Sequence, residues 1–142
     1  MTYDLVPPED PVLHQPATEV LGFDYLIQEI VAQLEDTLSA IPHAAGLAAP
    51  QVGIPLRIAV LKTQEMPTLI NPRIISTSKD ARKKTEGCLS YPGRRFRVQR
   101  YNSVTITYLD EFGRRHTREC HGTQAQLVQH EIDHLDGKTI AD

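Results

Sequence analysis

The segment His130-Glu131-Ile132-Asp133-His134 carries the strongest chemical signal in the sequence. On a helix, two histidines four residues apart lie one above the other, which is the spacing that a divalent metal needs from two imidazoles. Glu131 lies about 100° further round the helix axis. Its carboxylate can therefore reach the open side of the metal and accept a proton from water. The pattern predicts a hydrolytic metal centre, although a surface helix can also contain this pattern by chance.

A catalytic site of this kind needs a third protein ligand and leaves one position open for water. Besides many acids, the sequence offers two cysteines and four further histidines: Cys88, Cys120, His14, His43, His116 and His121. Cys88 is distinguished by its context, Glu86-Gly87-Cys88-Leu89-Ser90. The glycine lets the backbone come close, and the amide of Leu89 can point into the site. Cys120 is expected to be a small side chain of the core.

A segment of small residues, Gly46-Leu47-Ala48-Ala49-Pro50-Gln51, is the third candidate. Its small side chains permit close approach of a ligand or of another backbone. Gln51 offers an amide donor for an oxyanion that develops during a reaction. Taken alone this signal is weak, because Gly-Ala-Pro loops are common and usually structural.

Two helices and several strands must position these segments. Apolar residues at three- and four-residue spacing predict a helix over 24–38 with Asp24 as its cap. Thr123 and Gln126 have the spacing of a capping box, which predicts a second helix from Thr123 to Asp136 that carries both histidines. Strands are predicted over 56–61, 68–75, 104–109 and 114–120, the last two as a hairpin. Asn71-Pro72 places the second strand at a sheet edge.

These elements predict an α+β fold with mainly antiparallel sheets around a central metal-binding helix. The length of 142 residues and a hydrophobic content of 40% fit a single domain over residues 1–142 and exclude a disordered chain. The longest uncharged run follows Asp36, and its prolines and glutamine exclude a membrane span. The first residues show no secretory signal, and two cysteines make no disulfide framework. We therefore expect a cytoplasmic protein.

The net charge of −3 predicts no general affinity for nucleic acid. The charge is unevenly distributed, because residues 1–56 contain no Lys or Arg while a basic segment follows later. Its eight bases are Lys79, Arg82, Lys83, Lys84, Arg94, Arg95, Arg97 and Arg100. The simpler interpretation is a solvated basic face, and the alternative is a surface that docks onto a polyanion.

In combination, the three segments resemble the peptide deformylases, in which a Gly-rich loop, Glu-Gly-Cys-Leu-Ser and His-Glu-x-Asp-His follow one another. This sequence has AAGLAAPQ at 44–51, EGCLS at 86–90 and HEIDH at 130–134. The resemblance covers roughly residues 5–142. It departs at Ala44, where the family usually has its first glycine. The sequence also stops at Asp142, before the C-terminal helix of many bacterial members, and in this it is similar to minimal deformylases of some phages.

The resemblance implies a hydrolase that removes the N-formyl group from formyl-methionyl nascent peptides and releases formate. It implies that Cys88, His130 and His134 bind one divalent metal, Fe(II) in the cell, with Ni, Co or Zn possible in a purified sample. Glu131 is then the proton shuttle. Gln51 and the amide of Leu89 stabilise charge on the formyl oxygen.

The same resemblance implies that the peptide lies as an added strand between the Gly46 loop and the segment after Cys88, with its first side chain in an apolar pocket. Gln126 lies one turn before His130, where an apolar residue is expected, and it can equally serve the capping box. The candidate substrate contacts are Gly46, Leu47, Glu86, Gly87, Arg95, Gln126 and Leu127.

For partners, we expect a monomer that contacts the ribosome only transiently or weakly and binds neither DNA nor membranes. If the protein is encoded by a phage, its place is the host cytoplasm.

Two other functions fit parts of the pattern. A His-Glu-x-x-His metallopeptidase normally takes a histidine or an acid as its third ligand, whereas the candidate here is Cys88. A non-catalytic metal- or peptide-binding module has no need of Glu131 or Gln51.

Overall fold

The computed structural model describes residues 1–142 as two α-helices, two short 3₁₀ helices and seven strands. The helices are α1 (Tyr25–Ser39) and α2 (Gly122–Leu135), and the 3₁₀ helices are Pro11–His14 and Ala49–Val52. The strands are β1 (Gly46–Ala48), β2 (Ile58–Leu61), β3 (Thr68–Thr77), β4 (Ala81–Cys88), β5 (Tyr91–Tyr101), β6 (Ser103–Leu109) and β7 (Arg115–His121). Neither α-helix is long and apolar enough to cross a membrane.

The strands form two separate antiparallel sheets. The larger sheet has the order β1-β2-β3-β6-β7, and the smaller one is the β4–β5 hairpin. Helices and antiparallel sheets in one small fold confirm the predicted α+β class.

The two helices pack on opposite faces of the larger sheet, as the alternation along β2 shows. Ala59 and Leu61 belong to the apolar cluster that contains the buried residues of α2. Ile58 and Val60 belong to the cluster that contains the buried residues of α1. Since successive side chains of a strand point to opposite faces, β2 is buried on both sides.

Helix α2 lies between the larger sheet and the β4–β5 hairpin. Its apolar side packs on the sheet. On the hairpin side, the Gln129 amide donates to the carbonyl of Tyr101 at 3.0 Å and accepts from its N–H at 2.9 Å. This double hydrogen bond holds the end of β5 against the helix, so that two separate sheets flank the segment with the two histidines.

The predicted edge position of the second strand is wrong. β3 lies between β2 and β6, in the middle of the sheet. The sheet accommodates Asn71-Pro72 through an irregularity, because the register with β6 shifts between Ile70 and Arg73 and Asn71 has a φ of 50°. The Asn71 side chain bonds both the N–H and the carbonyl of Val20. A proline is tolerated inside a sheet at a bulge of this kind.

The first helix is confirmed, and the cap of the second is wrong. Asp24 caps α1 by accepting a hydrogen bond from the N–H of Ile27. Helix α2 begins at Gly122 instead of Thr123, and its N-cap, His121, makes no side-chain cap bond. The β6–β7 hairpin is confirmed. The sequence pattern did not predict β4 and β5, because these strands contain many charged residues and few apolar ones.

Candidate metal centre and its cleft

Cys88, His130 and His134 form a cluster of three possible metal ligands. Cys88 ends β4, and the two histidines lie one turn apart on α2. Their ligand atoms all lie within 4.8 Å of one another, and Cys88 Sγ is 3.3 Å from His134 Nε2. A tetrahedral site with bonds of about 2.0–2.3 Å separates its donor atoms by roughly 3.3–3.8 Å. The donor set and its spacing therefore fit a small divalent cation.

Glu86 fixes the orientation of His130. Its Oε1 accepts a hydrogen bond from His130 Nδ1 at 2.9 Å, which leaves Nε2 of that ring for the metal side. Arg100 donates to both oxygens of Glu86 at 2.8 Å, and Gln126 donates to Oε2 at 3.0 Å. Burial opposes the ionised form of Glu86, but the hydrogen bonds from Arg100 and His130 outweigh it and lower the pKa to about 2. The carboxylate stays charged and holds the imidazole in place.

The two histidines differ in their electrostatic surroundings. Burial lowers the pKa of His134 to about 3, so its ring is neutral, as a ligand must be. Burial also disfavours the charged form of His130, but its interactions with Cys88 and Glu86 outweigh this and raise its pKa to about 10. A cation that binds here must displace the proton of His130, which couples metal binding to proton release.

Glu131 is a buried carboxylate without a full set of partners. Only 2% of its surface is exposed, and its Oε1 has no hydrogen-bond partner within the protein. Burial raises its pKa to about 7, which is the range in which a carboxylate can both take up and release a proton. Such a group is expensive to bury for structural reasons alone.

Gly46 leaves the space that Glu131 occupies. A Cβ at this position would lie 2.7 Å from Glu131 Oε2 and 3.1 Å from Leu127 Cδ1. Any larger side chain would therefore push the carboxylate away from its place. The small residue at 46 permits the close approach that the sequence suggested.

Gln51 faces the metal cluster with a fixed amide. Its Oε1 accepts a hydrogen bond from the N–H of Ala48 at 2.9 Å, so its Nε2 must point the other way. Nε2 donates to Ser90 Oγ at 3.1 Å and lies 3.5 Å from Cys88 Sγ. The 3₁₀ helix Ala49–Val52 thus delivers an N–H donor beside the cluster.

A cleft of about 860 Å³ opens over the cluster. It runs between the β4–β5 hairpin, the start of β1 and helix α2. Most of the residues predicted from the sequence line it, namely Gly46, Gln51, Glu86, Gly87, Cys88, Leu89, Arg95, Gln126, Leu127, His130 and Glu131. His134 lies beneath the floor of the cleft and is 1% exposed.

The structure changes three expectations about residues of the cleft. Leu47 does not line the cleft, because alternation along β1 points its side chain to the α1 face, where it is fully buried. Glu86 lines the cleft, but its oxygens already accept four hydrogen bonds, so it supports His130 instead of binding a ligand directly. Gln126 does not cap α2, and its amide donates to Glu86.

The sequence reasoning missed Arg100, Asp133 and Ser90. Arg100 is 4% exposed and donates to Asp133 as well as to Glu86. Nothing in the sequence separates it from the seven other bases of its segment. Asp133 stands inside the metal motif, and its spacing could have suggested a buried cation as its partner.

Comparisons with known proteins agree on one family. The polypeptide deformylase family model matches residues 2–142. A peptide deformylase of Natranaerobius thermophilus is 41% identical over 136 residues, which cover 94% of this chain and 86% of the relative. One of Chlorobaculum tepidum is 40% identical over 141 residues, covering 94% and 74%.

Solved structures give the same result. The peptide deformylase of Thermotoga maritima has a TM-score of 0.94 at 33% identity, covering 100% of this chain and 97% of that protein. A peptide deformylase of Synechococcus elongatus in complex with actinonin has a TM-score of 0.92 at 39% identity, covering 99% and 77%. Sequence and structure over the full length thus lead to one conclusion: the chain belongs to the polypeptide deformylase family.

Proposed function

We propose that this protein is a metal-dependent peptide deformylase that hydrolyses the N-formyl group of formyl-methionyl nascent peptides. The observation that carries the proposal is the buried carboxylate of Glu131 beside a Cys88–His130–His134 cluster at the floor of a cleft. The three cluster residues would bind one divalent cation. When bound, it would supply a Lewis acid that polarises a carbonyl oxygen and increases the acidity of water. Residues 1–142 would act as one catalytic domain.

In the first step, the attacking water must lose a proton as its oxygen bonds to the formyl carbon. Glu131 is the acceptor, because it is the unpaired carboxylate at the floor of the cleft. Burial holds its pKa near 7, so it can take this proton and give it up again at neutral pH.

Negative charge then develops on the formyl oxygen. The Gln51 amide is fixed with its N–H groups towards Cys88, and the amide of Leu89 follows the ligand in the same chain segment. One donor of this kind contributes ~3–4 kcal/mol to transition-state stabilisation in other hydrolases. The Gln51 donor is already held in place by its bond from the N–H of Ala48, so it needs no reorganisation when the charge appears.

In the last step the carbon–nitrogen bond breaks. Glu131 returns its proton to the leaving nitrogen, which becomes the free amino terminus, and the formyl carbon leaves as formate with one oxygen from water. The peptide would lie along the cleft between Gly46 and Gly87, with Arg95 and Leu127 at its walls. Gln126 makes the wall before His130 more polar than an apolar first side chain requires.

The metal remains part of the proposal. A thiolate with two imidazoles suits both zinc and iron, and Fe(II) is proposed as the ion in the cell, with Ni, Co or Zn able to replace it in a purified sample. We further propose that the enzyme works as a monomer in the cytoplasm, where formylated chains are made.

Formate release tests this function. Metal-loaded protein is incubated with formyl-Met-Ala-Ser and, separately, with Met-Ala-Ser, and both formate and cleaved peptide bonds are measured. A deformylase releases formate from the first peptide and leaves every peptide bond intact. Cleavage of the unformylated peptide would indicate a metallopeptidase. Binding of metal and peptide without either product would indicate a non-catalytic module.

A further inference from the structure

The β4–β5 hairpin carries a set of cations without anionic partners. These hairpin cations are Arg82, Lys83, Lys84, Arg94, Arg95 and Arg97. None of them takes part in any ion pair of the structure. Arg100 is the exception in this segment, because Glu86 and Asp133 bind it in the interior. The charge of the hairpin cations is therefore available to a partner.

The strand register spreads these charges over both faces of the hairpin. Arg95 pairs with Gly87 and Arg97 with Thr85, so both arginines share one face, with Lys83 further along it. Arg95 lines the cleft, whereas Arg97 and Lys83 continue the same face away from it. The face is a basic track that starts at the cleft and leads outward.

On the other face, Arg82 and Lys84 line a second cavity of about 260 Å³. Tyr101 and Asn102 contribute to its wall, and no carboxylate lines it. Tyr101 is 42% exposed. A cavity with cationic and neutral polar walls favours an anionic occupant.

The other hairpin of the molecule differs in the acids that surround its cations. The arginines of β6–β7, Arg114, Arg115 and Arg118, also make no ion pair, but they lie among Asp110, Glu111 and Glu119. The protein as a whole has a net charge of −3. The positive field is thus a local property of the β4–β5 hairpin, on the wall of the cleft.

We propose that the hairpin cations outside the cleft, Arg82, Lys83, Lys84 and Arg97, dock the enzyme onto the phosphate backbone of structured RNA. Unpaired cations on both faces suit a repeating anion, and arginine also pairs with phosphate in a two-point geometry. Arg82, Lys83 and Arg97 lie outside the cleft, so they are not needed to hold a peptide there. The choice of RNA rests on the proposed function, because nascent chains are made on a particle whose surface is largely RNA.

This contact would be electrostatic and therefore sensitive to salt. Each phosphate contact changes the slope of log K against log salt by about −0.7 to −0.9. Four contacts would weaken binding roughly 50- to 150-fold between about 50 and about 200 mM salt. The expectation of a transient contact with the ribosome agrees with such a surface.

The test compares two triple variants of the metal-loaded enzyme. Arg82→Gln, Lys83→Gln and Arg97→Gln neutralise the hairpin, and Arg114→Gln, Arg115→Gln and Arg118→Gln make the same change of charge on β6–β7. Binding of a fluorescein-labelled stem–loop RNA is followed by anisotropy over this salt range. We expect the β4–β5 variant to lose RNA affinity and to show a slope of log K against log salt that is shallower by about two to three. The β6–β7 variant should keep most of its RNA affinity and most of its slope.

Formate release from formyl-Met-Ala-Ser is measured in parallel and should be unchanged in both variants, so that a failure of the proposed function is seen separately from a failure of RNA binding. Equal loss of RNA affinity in both triple variants would overturn the docking surface. So would binding that is absent at low salt or insensitive to salt. Equal affinity for polyglutamate would replace RNA by an acidic polypeptide as the partner.

Discussion

Helices α1 and α2 pack on opposite faces of one sheet, yet they bury different kinds of side chain. The buried residues of α1 are Val31, Leu34, Leu38 and Thr37, whose hydroxyl bonds the carbonyl of Gln33. Helix α2 buries Gln129, Glu131 and His134 among its apolar residues. Buried polar groups destabilise a fold unless they are paired, and Glu131 Oε1 and His134 Nδ1 have no partner within the protein.

This difference indicates that α1 serves the stability of the fold, whereas α2 also serves the chemistry of the candidate site. Every buried contact of α1 serves the fold, whereas α2 retains polar groups that a purely structural helix would replace by apolar ones. We therefore expect changes in α1 to alter the free energy of unfolding with little effect on activity. Changes around α2 should alter metal binding and catalysis first.

The largest effect is expected at the cysteine that faces α2. Cys88→Ala removes the proposed thiolate ligand, so the protein should lose both metal and formate release. Cys120 is fully buried in the apolar cluster of α2. Cys120→Ser should keep both properties at a modest loss of stability. Elemental analysis and the formate assay measure the two variants, and loss of metal from Cys120→Ser alone would reverse the assignment.

In α1 we expect a large effect on stability without an effect on metal binding or activity. Leu34 is fully buried against the sheet, and Leu34→Ala should lower the free energy of unfolding by about 2–5 kcal/mol. Urea denaturation measures this loss. Below the unfolding transition, the metal content and kcat/KM of the folded variant should match the wild type. A loss of metal in the folded variant would show that the two helices are not separable.

A smaller effect is expected at Gln126, which donates to Glu86, the hydrogen-bond partner of the candidate ligand His130. Gln126→Leu removes one of the four hydrogen bonds to Glu86 and should lower metal affinity about 10- to 100-fold. Competition with a chelator measures the affinity. Gln124→Leu is the matched control, since Gln124 lies on the same helix outside the cleft. Equal effects of both substitutions would exclude a role for the Glu86 contact.

The smallest effect is expected at the start of α1. Asp24→Ala removes the N-cap bond to Ile27 and should lower stability by about 0.5–2 kcal/mol. Thermal unfolding measures the change. The rate of formate release per folded molecule should stay at the wild-type value, and a reduced rate would contradict the division between the helices.

The elements that could be predicted from the sequence are those whose apolar residues recur at a regular local spacing. The apolar stripe and cap of α1 and the alternation in β6 are visible without any tertiary information. The β4–β5 hairpin was not predicted, because β4 contains adjacent charged residues instead of an apolar–polar alternation and because Gly87 and Gly93 interrupt the two strands. The position of β3 in its sheet depends on the bulge at Asn71, which a local rule cannot supply.

The candidate site shows the same limit. The ligand candidates and Glu131 follow from spacing within short motifs, so they could be proposed from the sequence. The hydrogen bonds that orient His130 could not be predicted from the sequence. Glu86 and Arg100 lie 44 and 30 positions before it, and only strand pairing brings them close to it. The orientation of Leu47 likewise depends on which face of β1 each helix covers.

In the proposed function, Glu131 moves the proton and does not hold the metal. Glu131→Gln keeps the size of the side chain but removes the base. Metal content and formate release from formyl-Met-Ala-Ser should be measured on the same sample, with Cys88→Ala as the metal-free reference. We expect wild-type metal content with a rate lowered by about 10²–10⁴-fold. Metal loss as complete as in Cys88→Ala, or a rate close to that of the wild type, would contradict it.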